Sequence, residues 1–206
     1  MKPVDHKIYL ASKSPRRREL LRQIGVDYEL LLLREAAPRG PDVTEAVLAG
    51  EPAAVYVARV AREKAEFAAK VMRMRHLPQR PLLTADTTVT IDGEILGKPA
   101  DTAEAVHMLE RYSGREHQVL TSVAVWHEGV VHQVTQVSNV RFCTLTPEAI
   151  RAYCASNEPY DKAGAYGIQG LAAVFIEHIE GSHSGIMGLP LFETAQLLRT
   201  AGLVLP

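Results

Sequence analysis

Only two cysteines occur in the 206 residues, Cys143 and Cys154, eleven positions apart and each beside apolar neighbours. Two are too few for a disulfide framework, so both are expected as reduced thiols in or near a core. No cysteine–histidine grouping has zinc-ligand spacing. The eight histidines are scattered, and His117, His127 and His132 fall where surface positions of a hairpin are expected. No apolar run is long enough to cross a bilayer. The first residues, Lys2, Asp5, His6 and Lys7, precede only a short apolar strand rather than the long apolar stretch of a secretory signal, so cytoplasmic residence and no membrane partner are expected. Neither sign of charge is in excess, with 23 Lys and Arg against 24 Asp and Glu, which removes the electrostatic case for wrapping a long nucleic acid. A small polyanion held by a local basic cluster remains compatible with that balance.

The patterning is that of one domain, residues 1–206, alternating strands and helices. Ile8 to Ala11 reads as a buried strand, followed by a helix that Pro15 opens and that runs to about Ile24. Gly25 stops it, and Tyr28 to Leu33 returns as a strand. Arg34 to Pro52 holds three prolines and two glycines and reads as a long loop. Ala53 to Met74 is the clearest amphipathic helix, with Val57, Ala61, Ala65 and Ala68 at helical spacing. Leu82 to Ala85 begins a strand that Thr87 to Ile91 continues to the Asp92-Gly93 turn, placing Asp86 within extended structure near a substrate-facing edge. Asp101 to Tyr112 is a second helix. Val119 to Trp126 and Val130 to Phe142 form a long hairpin across Glu128-Gly129. Thr146 begins another helix, Ala173 to Ile179 reads as a strand, and a last helix follows Pro190. This order predicts an α/β fold around a mixed sheet.

Four groups carry candidate chemistry. Ser12, Ser14, Arg16, Arg17 and Arg18 cluster where a strand becomes a helix, and hydroxyls, free backbone N–H groups and guanidinium groups there suit a phosphate chain. Consecutive arginines on a helix fan through about 200 degrees, so two can face a ligand while the third is solvated. The same residues also fit a solvated basic first turn. Positive charge is disfavoured at a helix start, and an anion would relieve it. Asp86 ends an apolar strand run, where a carboxylate needs a partner; activating water beside a divalent ion would provide one, and a turn or capping role is the bland alternative. Glu45 in the loop is a candidate ligand for the same ion. Lys64 and Lys98 suit the charge that builds up during phosphoanhydride cleavage, Lys98 being fixed between Gly97 and Pro99. The segment Asp161 to Gly170, with Lys162, three glycines and Gln169, permits close backbone approach and offers an amide to a base edge. It is neither the phosphate-loop motif nor the dinucleotide fingerprint. Ser12 and Ser14 lack a nucleophile elbow, and attack by water needs fewer assumptions than a covalent route.

Taken together and in order, Leu10-Ala-Ser-Lys-Ser-Pro-Arg-Arg-Arg-Glu-Leu-Leu21, Ala85-Asp-Thr87, Leu96-Gly-Lys-Pro99 with Ser113-Gly114 beyond, and Asp161-Lys-Ala-Gly-Ala-Tyr-Gly-Ile-Gln-Gly170 resemble the Maf nucleotide pyrophosphatases. The resemblance extends through Met187-Gly-Leu-Pro190. It implies a two-lobed α/β, Ham1-like (ITPase-like) fold with a mixed twisted sheet and a central nucleotide cleft. It also implies a homodimer that hydrolyses a nucleoside triphosphate to monophosphate and pyrophosphate with a divalent cation, Mg or Mn. Within it Asp86 matches the general base and a possible metal ligand. Arg16, Thr87 and Gln169 match positions tied to substrate selection. Arg17, Lys64 and Lys98 match the phosphate site, and Glu45, with Glu35 as its rival, matches the acidic loop residue. Ile168-Gln169 resembles the dTTP and UTP branch, since a neighbouring branch acting on 7-methyl-GTP carries an acid at the place of Gln169. The alternatives are that 7-methyl-GTP activity and a nucleotide-sensing protein of division control with little turnover.

Overall fold

The computed structural model describes residues 7–33 and 41–205. Seven strands form one mixed sheet: β1 (Ile8–Leu10), β2 (Tyr28–Leu30), β3 (Leu82–Ile91), β4 (Glu94–Leu96), β5 (Glu116–His127), β6 (Val130–Phe142) and β7 (Ile176–Glu180). Their order is β2-β1-β3-β5-β6-β7, with β4 on β3. β1 is parallel to β2 and β3, and every other pairing is antiparallel. The helices are α1 (Pro15–Gln23), α2 (Ala53–Met74), α3 (Thr102–Tyr112), α4 (Pro147–Cys154), α5 (His183–Ile186) and α6 (Leu191–Thr200).

Helix α2 forms where its apolar spacing predicts and buries Val57, Ala61, Ala65, Ala68 and Met72. Ala61, Ala65, Ala68 and Met72 pack with Leu82 and Trp126 of the sheet. The small alanines let the helix lie close, and full burial of Met72 alone is worth about 1.5–3 kcal/mol. On the other face, Leu20 and Leu21 of α1 and Leu198 of α6 cover Leu83, Val123 and Val125. A third apolar group, at the far end of β5 and β6, joins Met108 and Leu109 of α3 with Phe142, Ile150 and Tyr153.

The run from Leu82 to Ile91 is one continuous strand with Asp86 inside it, as the sequence predicts, and it lies at the centre of the sheet because Thr-rich β-branched sequence extends through Asp86 and both faces are covered. Its pairing makes the site. β1 meets β3 only at Leu82 and Leu83, and β4 meets it only from Val89 to Ile91. Between those short neighbours, residues 84–88 pair with β5 alone. The resulting notch lies at the carboxyl end of β1, where α1 begins, the place at which open α/β sheets bind ligands.

Several expectations need correction. β2 ends at Leu30 instead of Leu33, leaving Leu31 to Leu33 without regular structure beside the notch. Leu171–Phe175 is a 3₁₀ turn and only Ile176–Glu180 is a strand: the Glu158 carboxylate accepts the backbone N–H groups of Leu171 and Ala172 and caps the turn. His117 is 2% exposed instead of at the surface, with its ring stacked on Tyr112. Residues 34–40 of the expected long loop, including Glu35, lie outside the described residues. Cys143 and Cys154 are free thiols, as expected.

Candidate active site

Ser12, Arg16, Arg17, Glu45, Lys64, Asp86, Thr87, Lys98, Lys162 and Gln169 all line one cleft of about 820 Å³ over the notch in β3. Side chains alternate along a strand. Thr84 and Asp86 therefore face α2, and the Thr84 hydroxyl donates to the Ala61 carbonyl at 2.8 Å. Ala85 and Thr87 face the opposite way, toward α1. The strand thus presents a carboxylate on one side of the notch and a hydroxyl on the other.

On the α2 side, Lys64 Nζ lies 2.8 Å from Asp86 Oδ1 and 2.7 Å from Glu45 Oε1. The Asp86 side chain is 10% exposed, whereas the Glu45 side chain is 54% exposed. That contrast separates the two acids. Burial pushes the Asp86 carboxyl above the usual aspartate range despite the opposing Lys64 charge. Burial also acts upward on Glu45, but Lys64, followed by Lys98 and Arg17, outweighs it and holds Glu45 below its ordinary value. The Glu45 loop is fastened to α2 by residues that sequence reasoning missed. Tyr56 donates its hydroxyl proton to the Glu45 carbonyl at 3.0 Å. Arg59 grips both Glu51 oxygens, at 2.7 and 2.8 Å, and the Ala46 carbonyl at 3.0 Å. Burial, with the Asp86 and Glu45 charges, raises the Tyr56 phenol to about 12, so it stays a donor.

On the α1 side, Arg17 is the organiser. Ser14 caps the helix by accepting from the Arg17 N–H at 3.4 Å, and Pro15 occupies the first turn. The Arg17 guanidinium donates from Nε to the Gly188 carbonyl (2.8 Å), from Nη1 to Ser12 Oγ (3.3 Å) and from Nη2 to Thr87 Oγ1 (3.1 Å). These use three of its five N–H groups, leaving two for a ligand. Burial lowers its pKa from the ordinary arginine value, with Asp86 opposing the shift. Ser12 Oγ also accepts from the Ser14 N–H at 3.2 Å, so its own proton is the one available to an anion. Thr87 is committed further. Thr121 donates to the Gly185 carbonyl at 2.8 Å, hence the 2.9 Å contact between the two threonines must run from Thr87 to Thr121. Thr87 accepts from Arg17 and gives its proton to Thr121, so in this arrangement it orients Arg17.

The other predicted residues sit around the mouth. Arg16 approaches Asp161 at 3.9 Å across the cleft, while Arg18 turns to the Lys13 carbonyl, as the fan of three arginines anticipates. Lys98 is exposed on the loop after β4. The Gly97 carbonyl before it accepts from Gly164, fixing that loop to the opposite wall. Lys162 donates to Asp161 and to the Glu158 carbonyl, so its ammonium serves its own loop. Gln169 is exposed at the rim. Beyond these, the sequence reading missed Thr121, Gly188 and Glu158. Gly188 has φ of +110° and hosts the Arg17 contact; Met187-Gly-Leu-Pro190 was legible as a motif without that role.

The hard oxygens of Asp86 and Glu45, converging on the point held by the Lys64 ammonium, are the kind of donor set that takes Mg or Mn with one or two carboxylates and substrate phosphates completing the shell. Among the described residues no group of three or more His, Cys, Asp or Glu gathers to hold a metal alone. No helix among them is long and apolar enough to cross a membrane.

A mixed α/β sheet whose central strand is notched over a basic, carboxylate-bearing cleft defines a class of anion-handling protein. A family model described as Maf-like protein matches residues 7–201, and the chain belongs to that family. It is 54% identical over 204 residues to a protein of Aromatoleum aromaticum named dTTP/UTP pyrophosphatase, covering 98% of each chain. A Ralstonia nicotianae protein of the same name is 57% identical over 199 residues, covering 96% of this chain and 95% of its own, and one from Bordetella avium is 54% identical over 205 residues, covering 98% and 100%. The solved structure of the Staphylococcus aureus Ham1 protein aligns with a TM-score of 0.52 at 14% identity, over 95% of this chain and 99% of that one. The fold is therefore the Maf/Ham1-like α/β fold.

Proposed function

We propose that this chain hydrolyses dTTP and UTP to the nucleoside monophosphate and pyrophosphate. The observation that carries the reading is the shared cleft, in which a buried carboxylate, Asp86, faces an array of cations on three separate elements. Water attacks the α-phosphorus in line with the departing pyrophosphate. The new P–O bond forms from the water oxygen, the bond from the α-phosphorus to the bridging oxygen breaks, and Asp86 accepts the water proton. A carboxylate whose affinity for protons is raised by burial is a better acceptor than a solvated one. Arg17, held by Gly188, Ser12 and Thr87, presents its remaining N–H groups to phosphate oxygens, and Ser12 donates alongside it. Lys98 and Arg16 approach from the rim, where the leaving pyrophosphate carries its charge. Asp86 and Glu45 would hold a divalent cation, Mg or Mn, which would supply charge neutralisation on the phosphate chain.

Gln169 reads the base. An amide can match the alternating donor and acceptor edge of uracil or thymine, whereas a carboxylate there only accepts. A cytoplasmic homodimer is the setting consistent with this reading. The test is a turnover panel of dTTP, UTP, 7-methyl-GTP and the common triphosphates, with products identified. Monophosphate and pyrophosphate from dTTP and UTP are expected. A preference for the methylated purine, or no pyrophosphate from any member, overturns the assignment.

A further inference from the structure

The Gln169 loop has an anchor that the cleft chemistry does not use. Glu158 lies behind the loop and its carboxylate is surrounded by donors: Oε2 accepts the Leu171 N–H at 2.7 Å, and Oε1 accepts the Tyr153 hydroxyl at 3.0 Å and the Ala172 N–H at 3.3 Å. Its backbone carbonyl accepts Lys162 Nζ at 2.7 Å. The two contacts fix opposite ends of one turn. The Lys162 stem lies against Gly167, where an added Cβ would come within 2.8 Å of Lys162 Cε, and an added Cβ at Gly170 would collide with both Glu158 carboxylate oxygens. The Gly170 N–H closes the turn on the Gly167 carbonyl at 3.0 Å. Gln169 is carried between these two glycines.

From this geometry we infer that Glu158 is a positioning residue for base recognition, clamping the Gly167–Gly170 turn so that Gln169 faces the base. The inference rests on the proposal that Gln169 reads a pyrimidine edge. An ionised carboxylate is acceptor-only, and here each oxygen is met by a donor. An amide cannot replace it, because its NH₂ would face at least one of those N–H or O–H groups whichever way it turned. The glycine at 170 is required by the clamp rather than by its backbone, since φ −108° and ψ −154° are open to alanine.

The experiment compares kcat/KM for UTP and for GTP in the wild-type protein, Q169A, E158Q, G170A and the double variant Q169A/E158Q, with melting temperatures alongside. Q169A is expected to lower the UTP-to-GTP ratio. E158Q is expected to lower it by about five- to tenfold, mainly through KM for UTP, with little further change in the double variant, because both act through one contact. G170A reaches the same clamp from the other side and should reproduce the loss of selectivity, which keeps the question answerable if E158Q folds poorly. Equal losses on both nucleotides, or ratios that multiply in the double variant, overturn the inference and mark Glu158 as structural only. If Q169A alters selectivity while E158Q and G170A do not, the clamp fails and the Gln169 reading stands; an unchanged ratio in Q169A overturns both.

Discussion

Lys64 Nζ on α2 and Asp86 Oδ1 on β3 are 2.8 Å apart, with the lysine side chain 16% and the aspartate side chain 10% exposed. The pair joins the longest helix to the central strand and is also the chemical centre of the cleft. Because the side chains come from elements that pack through Ala61 and Ala65 on either side of Lys64, their approach is set by helix-on-sheet packing rather than by a flexible loop.

Replacing Asp86 with Asn should separate catalysis from stability. Turnover is expected to fall by about 10²–10⁴-fold, the usual contribution of a positioned base. Folding raises the Asp86 pKa, so the stability this group contributes is fully present below the ordinary aspartate value and is lost as pH rises through the raised one. Once Asp86 is ionised the wild-type chain has lost that contribution, and an uncharged amide has none to lose. Lys64 retains Glu45 as its partner. D86N is therefore expected to melt at pH 7 no lower than the wild type, by calorimetry, while nucleotide still binds. Near-normal turnover in the folded variant removes Asp86 from the proton step.

The Lys64 ammonium lies where a cation shared by Asp86 and Glu45 would lie. K64M should consequently bind Mn²⁺ in the absence of nucleotide more tightly than the wild type, by about tenfold or more, since two carboxylates lose the charge that competes for them. Titration followed by the electron paramagnetic resonance of free Mn²⁺ measures this without turnover. Weaker binding by K64M would show that Lys64 supports the carboxylates instead of competing for them.

His117 is expected to make the fold acid-sensitive. Its Nε2 is 2.8 Å from the Tyr166 hydroxyl, its ring is stacked on Tyr112, and burial depresses its pKa from 6.5 to about 3. The unfolded chain takes up a proton that the folded one refuses. Stability is complete above about 6.5 and is lost as pH falls toward 3, at up to about 1.4 kcal/mol per pH unit from this group. H117Q should melt lower at pH 7, through imperfect packing, yet have a flatter dependence of melting temperature between pH 6 and 4. An unchanged acid slope assigns the sensitivity elsewhere.

His117 also marks the limit of reading the chain as a string. Helix α2 is legible to its boundaries because a 22-residue apolar stripe with charged residues opposite outweighs local noise. Ser12, Arg16, Arg17, Glu45, Lys64, Asp86, Thr87, Lys98, Lys162 and Gln169 line one cleft, but local chemistry marks chiefly the strand-to-helix junction and the Asp86 strand, whereas Thr87 is marked by the family resemblance alone. His117 was misplaced because hairpin membership indicates extended backbone, whereas burial depends on α3 and the 163–166 segment folding over it. Ala173 to Phe175 reads as strand from the sequence but belongs to the 3₁₀ turn at Leu171–Phe175, because an apolar Ala-Val-Phe run suits both forms and the cap that decides between them, Glu158, lies thirteen residues away from Leu171. Thr121 and Gly188 were missed for the same reason: their roles are relations to Thr87 and Arg17 across the sheet, absent from any local spacing.

Arg17 offers the sharpest test of that cross-sheet geometry. R17K keeps the charge and the helix, but one ammonium cannot reach the Gly188 carbonyl, Ser12 and Thr87 in the directions the guanidinium spans and still present donors to a phosphate. The expected result is a fall in kcat/KM on the order of 10²-fold, the consequence of misplacing a positioning group by about 1 Å. T87V should follow in the same direction with a smaller effect, because it deletes one acceptor of Arg17 and also the donor to Thr121, while leaving the Gly188 and Ser12 contacts in place. Combining R17K with T87V should add little to R17K alone, since the threonine acts through the arginine. Steady-state kinetics on UTP across the three variants checks this. A full additional loss in the double variant would place Thr87 in direct contact with the nucleotide, and an unchanged kcat/KM in R17K would reduce Arg17 to a strut between α1 and the loop before α6.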